Sequence, residues 1–227
     1  MIKLPTGEDK VRQVRAMFDA IAPRYDLANR IMTFGLDRGW RRRAVSLLRL
    51  PPGSLVLDAA CGTGDFCRDL TSAGHRAFGA DNSRGMLAAA RTAAPLLQAD
   101  ALTLPLRDGG VDGATCGFAL RNVMDLKALF AELARVTRRG GRIALLEVAE
   151  PRSRIVRPFH SVYFRRIVPI IGGLLSDKDA YAYLPRSTAY LPGHEQLLEM
   201  LDAAGFAALE RRIVGLGAAQ IITGTRL

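Results

Sequence analysis

The spacing of apolar side chains changes rhythm twice along the chain. Up to Leu50 they recur at helical spacing, and Pro51, Pro52 and Gly53 then stop the chain abruptly. Beyond that point short apolar runs alternate with amphipathic ones. Residues 54–57, 77–80, 96–99, 113–120 and 143–148 read as buried strands, and residues 65–73, 83–93 and 125–137 as the helices between them. Strand–helix alternation at this spacing predicts βαβ units and a mostly parallel sheet covered on both faces. After Pro151 the alternation breaks. Residues 158–175 form a basic, aromatic, helix-like segment, and residues 196–204 a helix stopped by Gly205. Residues 208–214 and 218–225 read as two strands joined by Gly215-Leu216-Gly217, a closing hairpin that sets an antiparallel last strand on the sheet.

Composition narrows the picture. Of 227 residues, 49% are apolar and 24% charged, which excludes a disordered chain. Three cysteines exclude a disulfide framework, and the charged start carries no secretory signal, so a reduced, cytoplasmic protein is expected. The longest strongly apolar run, residues 167–175, falls far short of the ~20 residues a spanning helix needs. The net charge of +10 favours an anionic partner, although arginine-rich coding explains it equally well. The excess is uneven: residues 1–50 hold 11 Lys/Arg against 5 Asp/Glu, and residues 151–176 hold five arginines and no acid. Arg38, Arg41, Arg42 and Arg43 form one basic cluster, read as a solvated helix face. Cys61, Cys67 and Cys116 lack metal-ligand spacing and have no Cys/His pattern with His75, His160 or His194, so no metal site is expected.

The chemistry concentrates at the strand ends. Asp58-Ala59-Ala60-Cys61-Gly62-Thr63-Gly64-Asp65 follows the first strand and opens a helix. Its glycines permit a tight turn and a close approach of backbone to ligand. The third glycine of a dinucleotide fingerprint is missing, and Asp58 and Asp65 would repel a pyrophosphate. An acidic rim suits a ligand that carries a cation, such as a sulfonium or an α-amino group. Asp81 ends the second strand, 17 residues after Gly64, where a carboxylate accepts from ribose hydroxyls. Asp100-Ala101 ends the third, in position to read an adenine edge. Three acids at three successive strand ends converge on one crevice.

This pattern resembles the class I S-adenosylmethionine (SAM) methyltransferases, whose fold is a Rossmann-like, seven-stranded, mostly parallel sheet with an antiparallel last strand. Residues 17–40 (MFDAIAPRYDLANRIMTFGLDRGW), the run FALRNVMD after the fourth strand, RVTRRGGRIALLE at 135–147 and YAYLPRSTAYLP at 181–192 carry the resemblance further. They are similar to the menaquinone and ubiquinone biosynthesis C-methyltransferases of the UbiE/MenG type, over about residues 11–226. The resemblance implies cofactor contacts at Thr63, Asp81, Asp100 and Ala101, backbone approach at Gly62 and Gly64, and a further contact position at Gly117. Asp58 joins this set from the strand-end reading. It also implies a helical cap over the active site (1–50), a cofactor-binding core (51–150), a substrate lid (151–193), and a final helix with closing strands (194–227). Asp37 and Ala149 stand where the family usually has other residues, and they bear on the acceptor rather than on the cofactor.

Methyl transfer from a sulfonium is an in-line displacement, so the protein mainly positions and desolvates. A quinol carbon becomes nucleophilic when a neighbouring phenol, with a pKa of about 10, gives up its proton. That calls for a base or for a cation that stabilises the phenolate. Arg121 stays protonated and can only stabilise or orient. It is assigned to activate the quinol, with Asn122 and Tyr25 as positioners, against the plainer expectation of an Arg121 salt bridge to Asp125. The implied reaction is C-methylation of a polyprenyl quinol, demethylmenaquinol to menaquinol, with S-adenosylhomocysteine as the other product. Residues 159–175 would cover the isoprenoid tail and meet an anionic membrane surface at the inner face of the cell membrane; a homodimer is open. Alternatives are a small aromatic acceptor, a benzoquinol, a non-catalytic subunit, or RNA. Against RNA stand the lack of an amine-methylation motif and only 15 aromatic side chains for stacking; no nucleic-acid partner is expected.

Overall fold

The computed structural model describes residues 7–149 and 187–227. Three helices open the chain: α1 (Gly7–Ile21), α2 (Tyr25–Met32) and α3 (Leu36–Leu48). There follow β1 (Leu55–Ala59), α4 (Asp65–Ser72), β2 (Arg76–Asp81), α5 (Arg84–Ala88), β3 (Leu96–Gln98), β4 (Val111–Gly117), α6 (Leu126–Val136) and β5 (Thr137–Val148). After the undescribed residues come α7 (His194–Ala203), β6 (Phe206–Val214) and β7 (Ala219–Arg226). The seven strands lie in the order β3-β2-β1-β4-β5-β7-β6, with β7 antiparallel to both of its neighbours. This is the expected α/β fold. The chain runs outward from β1 to β3 and restarts on the other side at β4, so the crevice for a ligand opens at the carboxyl ends of β1 and β4.

Alternation along the strands builds two cores. Leu57, Ile143, Leu145 and Ile222 pack with Leu129, Phe130 and Leu133 of α6 and Leu197 and Leu201 of α7. On the opposite face Val56, Ala144, Leu146 and Ile221 pack with Val45 and Leu48 of α3 and Phe66 and Leu70 of α4. Helix α3 therefore covers the sheet, and only α1 and α2 sit over the strand ends. A third, small cluster of Ile21, Ala22, Ala28 and Met32 joins those two helices to Met86 of α5.

Some element ends differ from the sequence reading. Helix α5 stops at Ala88 rather than running to residue 93: the Arg91 N–H donates to the Thr63 carbonyl at 3.2 Å, and Thr92 packs against Gly64. The chain is drawn onto the glycine loop instead of continuing the helix. Strand β4 ends at Gly117 because Phe118 takes a left-handed backbone (φ 55°) and Leu120–Asn122 coils into a 3₁₀ turn. Residues 158–175, with their expected tail-covering role, lie outside the described residues.

Candidate active site

Close contacts leave no room for side chains at Gly64 in the glycine loop or at Gly117 at the end of β4. Gly64 has φ +80°, and a Cβ there would meet the Thr92 Cγ2 at 2.5 Å. A Cβ at Gly117 would run into the Phe66 ring at 2.6 Å, so the missing side chain is a packing requirement. At Gly62 (φ +54°) a Cβ would meet nothing within 4 Å, and its backbone faces open space.

That space is a cavity at the strand ends. Gly62, Asp81, Asp100, Ala101, Gly117, Asn122 and Tyr25 all line it. The structure thus brings together four of the expected cofactor side-chain or backbone positions, Gly117, and two of the three residues assigned to the acceptor. Asp58, Thr63, Gly64 and Arg121 are not on its wall. Phe18, Met86, Phe118 and Met124 supply apolar surface.

Asp81 is held from both sides. Its Oδ2 accepts from the Gly62 N–H at 2.7 Å and its Oδ1 from the Ser83 N–H at 2.8 Å. Burial raises its pKa, and these N–H groups oppose the shift. Each oxygen keeps a lone pair for a further donor. Asp100 Oδ1 accepts from the Leu102 N–H at 2.9 Å, which fixes it at the rim. Asp58 lies one layer below. Its Oδ1 accepts from the Thr115 hydroxyl at 2.9 Å, and burial pushes its pKa up to about 7. The Cys61 and Cys116 thiols are raised above their ordinary pKa, Cys61 chiefly through a hydrogen bond with the Cys67 thiol and Cys116 through burial. Neither is a ready thiolate.

The N-terminal helices reach the same loops through carboxylates. Asp26 Oδ1 accepts from the Thr63 hydroxyl at 2.5 Å. Asp19 Oδ1 accepts from the Ser83 hydroxyl at 2.6 Å and from the Gly85 N–H at 2.8 Å, which satisfies a free donor at the start of α5. Asp37 is a joint. It accepts from the Thr33 hydroxyl at 2.7 Å and pairs at 2.6 Å with Arg41, whose buried guanidinium also meets Asp65 and Asp69 at 2.9 Å each. The arginine cluster is therefore divided: Arg41 turns inward, whereas Arg38, Arg42 and Arg43 are exposed.

Arg121 is buried, and its partner is not Asp125, which caps α6 through the Ala128 N–H. The guanidinium meets Glu147 Oε1 at 2.5 Å and donates to the Phe118 carbonyl at 2.7 Å and the Ser187 hydroxyl at 3.2 Å. Tyr25 lies within the field of Arg121 and is hydrogen-bonded with Asn29. Burial raises its hydroxyl above the usual tyrosine pKa, so it stays a neutral phenol. Asn122 donates weakly to the Phe118 carbonyl at 3.5 Å, and its buried Oδ1 has no partner among the described residues. Sequence reasoning missed Glu147 and Asp19. Glu147 left a trace: an acid inside the apolar run IALLEV must find a cation once buried.

A model of the ubiE/COQ5 methyltransferase family matches residues 5–226. The chain belongs to the ubiE/COQ5 methyltransferase family. It is 43% identical to the demethylmenaquinone methyltransferase of Roseiflexus castenholzii, over 98% of this chain and 97% of that one. It is 38% identical to the ubiquinone/menaquinone biosynthesis C-methyltransferase UbiE of Geobacter sulfurreducens, over 96% and 90%. Solved structures share the fold. A SAM-dependent methyltransferase of Thermotoga maritima has a TM-score of 0.66 at 20% identity, covering 94% of this chain and 100% of that one. A phosphoethanolamine N-methyltransferase of Haemonchus contortus, bound to SAM, has 0.62 at 15%, covering 83% and 52%.

The family is SAM-dependent, and the cavity fits that cofactor. Asp81 presents an anchored carboxylate where ribose hydroxyls would donate, Gly62 leaves open space beside its backbone, and the acids suit a cationic ligand rather than a pyrophosphate. Among the described residues no group of His, Cys, Asp and Glu could hold a metal ion, and no helix is long and apolar enough to cross a membrane.

Proposed function

We propose that the chain methylates a ring carbon of a polyprenyl quinol, with demethylmenaquinol as the acceptor. The observation that carries the reading is Asn122 Oδ1: a buried acceptor without a described partner, on a residue of the same wall as Asp81 and Asp100. Leaving such an acceptor unpaired costs about 1–3 kcal/mol. A quinol hydroxyl is the donor that satisfies it. The names of the relatives support the acceptor class.

Bound SAM supplies an electrophilic methyl group. The residues of this chain do the rest. Asp81 receives the ribose hydroxyls, Asp100 and Ala101 take the adenine edge, and Gly62, Thr63 and Gly64 shape the loop. Gly117 keeps the wall open, and Asp58, whose carboxyl burial holds protonated up to about pH 7, braces the strand end from below through Thr115. Asn122 accepts from one quinol hydroxyl and so fixes the ring. Tyr25, neutral at physiological pH, covers the ring from α2. Arg121 lies behind the wall, where Glu147 and Ser187 fix its fork, and its charge stabilises the phenolate left when the quinol hydroxyl gives its proton to water. Phe18, Phe118 and Met124 exclude water, which strengthens every charge interaction inside. The acceptor is drawn from a membrane, as its isoprenoid tail requires.

The test is mass spectrometry of the products after incubating the purified protein with SAM and reduced demethylnaphthoquinols, benzoquinols, small phenols and RNA. One carbon-bound methyl on the naphthoquinol is expected. Methyl transfer confined to a phenolic oxygen or to RNA removes the quinol assignment and leaves the family standing.

A further inference from the structure

A second cavity lies at the opposite end of the sheet from the cofactor crevice. It opens between the last turns of α3 and α4 and the loops that lead from them into β1 and β2, and its volume is about 400 Å³. Ligand pockets commonly measure roughly 300–1,000 Å³. Ala149 and Ser187, which border the undescribed residues 150–186, both sit at the carboxyl ends of the strands, whereas this cavity sits at the amino ends of β1 and β2. Backbone bonds stitch its two loops together: the Gly53 N–H donates to the Gly74 carbonyl at 2.8 Å and the Arg76 N–H to the Ser54 carbonyl at 2.9 Å. The cavity is therefore preformed.

Its rim is basic. Arg42 and Arg49 are exposed and line it. Arg49 ends α3 with φ 52°, in the left-handed conformation that helix ends usually give to glycine. The acids nearby are engaged elsewhere. Asp69 pairs with Arg41 at 2.9 Å and meets Arg42 only at 3.8 Å. Glu210 of β6 lies in the field of Arg49 but pairs with Arg212 at 3.0 Å. Free carbonyls at two helix C-termini would repel an anion, and these are taken. Leu47 and Leu48 accept from Arg142 at 3.4 and 3.2 Å, and Asp69, Leu70 and Thr71 accept from the N–H groups of Ala73, His75 and Gly74.

The deciding residue is His75, which lines the same cavity. It is 9% exposed, and its Nδ1 is buried with no partner among the described residues. Buried polar atoms are almost always paired, and an imidazole can place its N–H on either nitrogen. Ser46 and Ser72 add hydroxyls to the wall, and Val45 and Leu50 add apolar surface.

We propose that this cavity binds a phosphomonoester, with Arg42 and Arg49 meeting the phosphate, His75 donating from Nδ1, and Val45 and Leu50 receiving the carbon part. Guanidinium–phosphate contacts are among the stronger hydrogen bonds, and the arrangement offers two of these donors beside a buried third. The site is separate from the crevice and does not depend on the identity of the methyl acceptor.

The experiment uses the full-length protein with the crevice saturated by S-adenosylhomocysteine. Two probes carry the same group from different sources: soluble glycerol 3-phosphate, and phosphatidylcholine vesicles containing phosphatidic acid. Saturable binding is measured by calorimetry. The ring NMR signals of His75, identified by their loss in His75→Gln, should move as the probe is added. Binding of the soluble probe assigns the site to a small metabolite, and binding of the vesicles alone assigns it to a lipid headgroup. Arg42→Gln combined with Arg49→Asn, a residue that tolerates the left-handed backbone, should weaken binding about tenfold or more. His75→Gln should weaken it as well. All variants should keep the parent affinity for S-adenosylhomocysteine, which shows that they fold. Absence of saturable binding of both probes at millimolar concentration overturns the site. So does binding that the double arginine variant retains in full, or binding that leaves the His75 signals in place.

Discussion

The sheet and the two helices above it are held by different forces. The sheet buries two apolar clusters, of twenty and eleven side chains among the described residues, one on each face. The pair α1 and α2, with Ala22 between them, buries four against Met86 of α5. What ties that pair to the sheet is polar: Asp19 to Ser83 and Gly85, Asp26 to Thr63, and the chain from Thr33 through Asp37 to Arg41. Apolar burial is non-directional and changes little with pH or salt, whereas carboxylate contacts are directional and titrate. The cofactor wall is therefore built on the unyielding half, and the cover is attached by contacts that end on the cofactor loops themselves.

The joint between the halves gives the largest expected effect. Arg41 serves Asp37, Asp65 and Asp69 at once and is 7% exposed. Arg41→Met leaves three partly buried carboxylates without their shared cation and is expected to destabilise the protein by about 3–5 kcal/mol. Urea unfolding measures it. A loss below about 1 kcal/mol would show that Arg68 and Arg42, which already touch Asp65 and Asp69, are sufficient. On the rigid half, Asp81→Asn keeps the shape and removes the charge that receives the ribose. Cofactor affinity should fall roughly 10- to 100-fold by calorimetry, with unfolding little changed. If affinity is kept, Asp81 is only a brace for the Gly62 and Ser83 amides.

The contrast also explains what the chain discloses before its structure is known. Gly62, Asp81 and Asp100 are each local to a strand end, and strand-plus-turn patterns span only a few residues, so the wall could be read directly. Asp26 and Thr63 are 37 residues apart, Asp19 and Ser83 are 64 apart, and Arg121 and Glu147 are 26 apart. No periodicity encodes such pairings; the first two follow from the folding of α1 and α2 back over the strand ends, and the third from the parallel pairing of β4 with β5. The over-long α5 has the same origin, since a tertiary contact at Arg91 and Thr92 overrides a good helical pattern. Arg121 illustrates the cost. Its placement beside the crevice was legible, but its burial against Glu147 was not, and that pair means Arg121→Ala unfolds as readily as it inactivates.

Asp58 sharpens the comparison by pH. It belongs to the rigid half yet titrates, because burial raises its pKa to about 7 from an unfolded value near 3.9. Between these values the unfolded chain has lost the proton and the folded one keeps it. Stability therefore falls as pH rises through that window and levels off above about 7. From about pH 5.5 to 7 the loss should be about 2 kcal/mol, read from urea midpoints, and Asp58→Asn should flatten the profile over that range. An unchanged slope in the variant would move the effect to another carboxyl, with Asp81, also raised by burial, the next to replace.

The smallest effect expected is the most direct on the cover itself. Asp19→Ala removes an acceptor that satisfies the Gly85 N–H and the Ser83 hydroxyl, and Asp26→Ala removes the one that receives Thr63. Losses of this capping type cost about 1 kcal/mol each. Neither side chain packs in the sheet, so the cost falls on closing α1 and α2 rather than on folding the core. Amide hydrogen exchange separates the two: at about 1 kcal/mol per contact, amides of α1 and α2 should exchange roughly five- to tenfold faster in either variant, while those of β1, β4 and β5 keep the parent rate. In the double variant the two losses should add at the amides of both helices if these open as one cover, and each should act on its own helix alone if they open separately. Faster exchange across the sheet as well would mean that the cover and the core unfold together, and the division into a rigid half and a fastened half would fail.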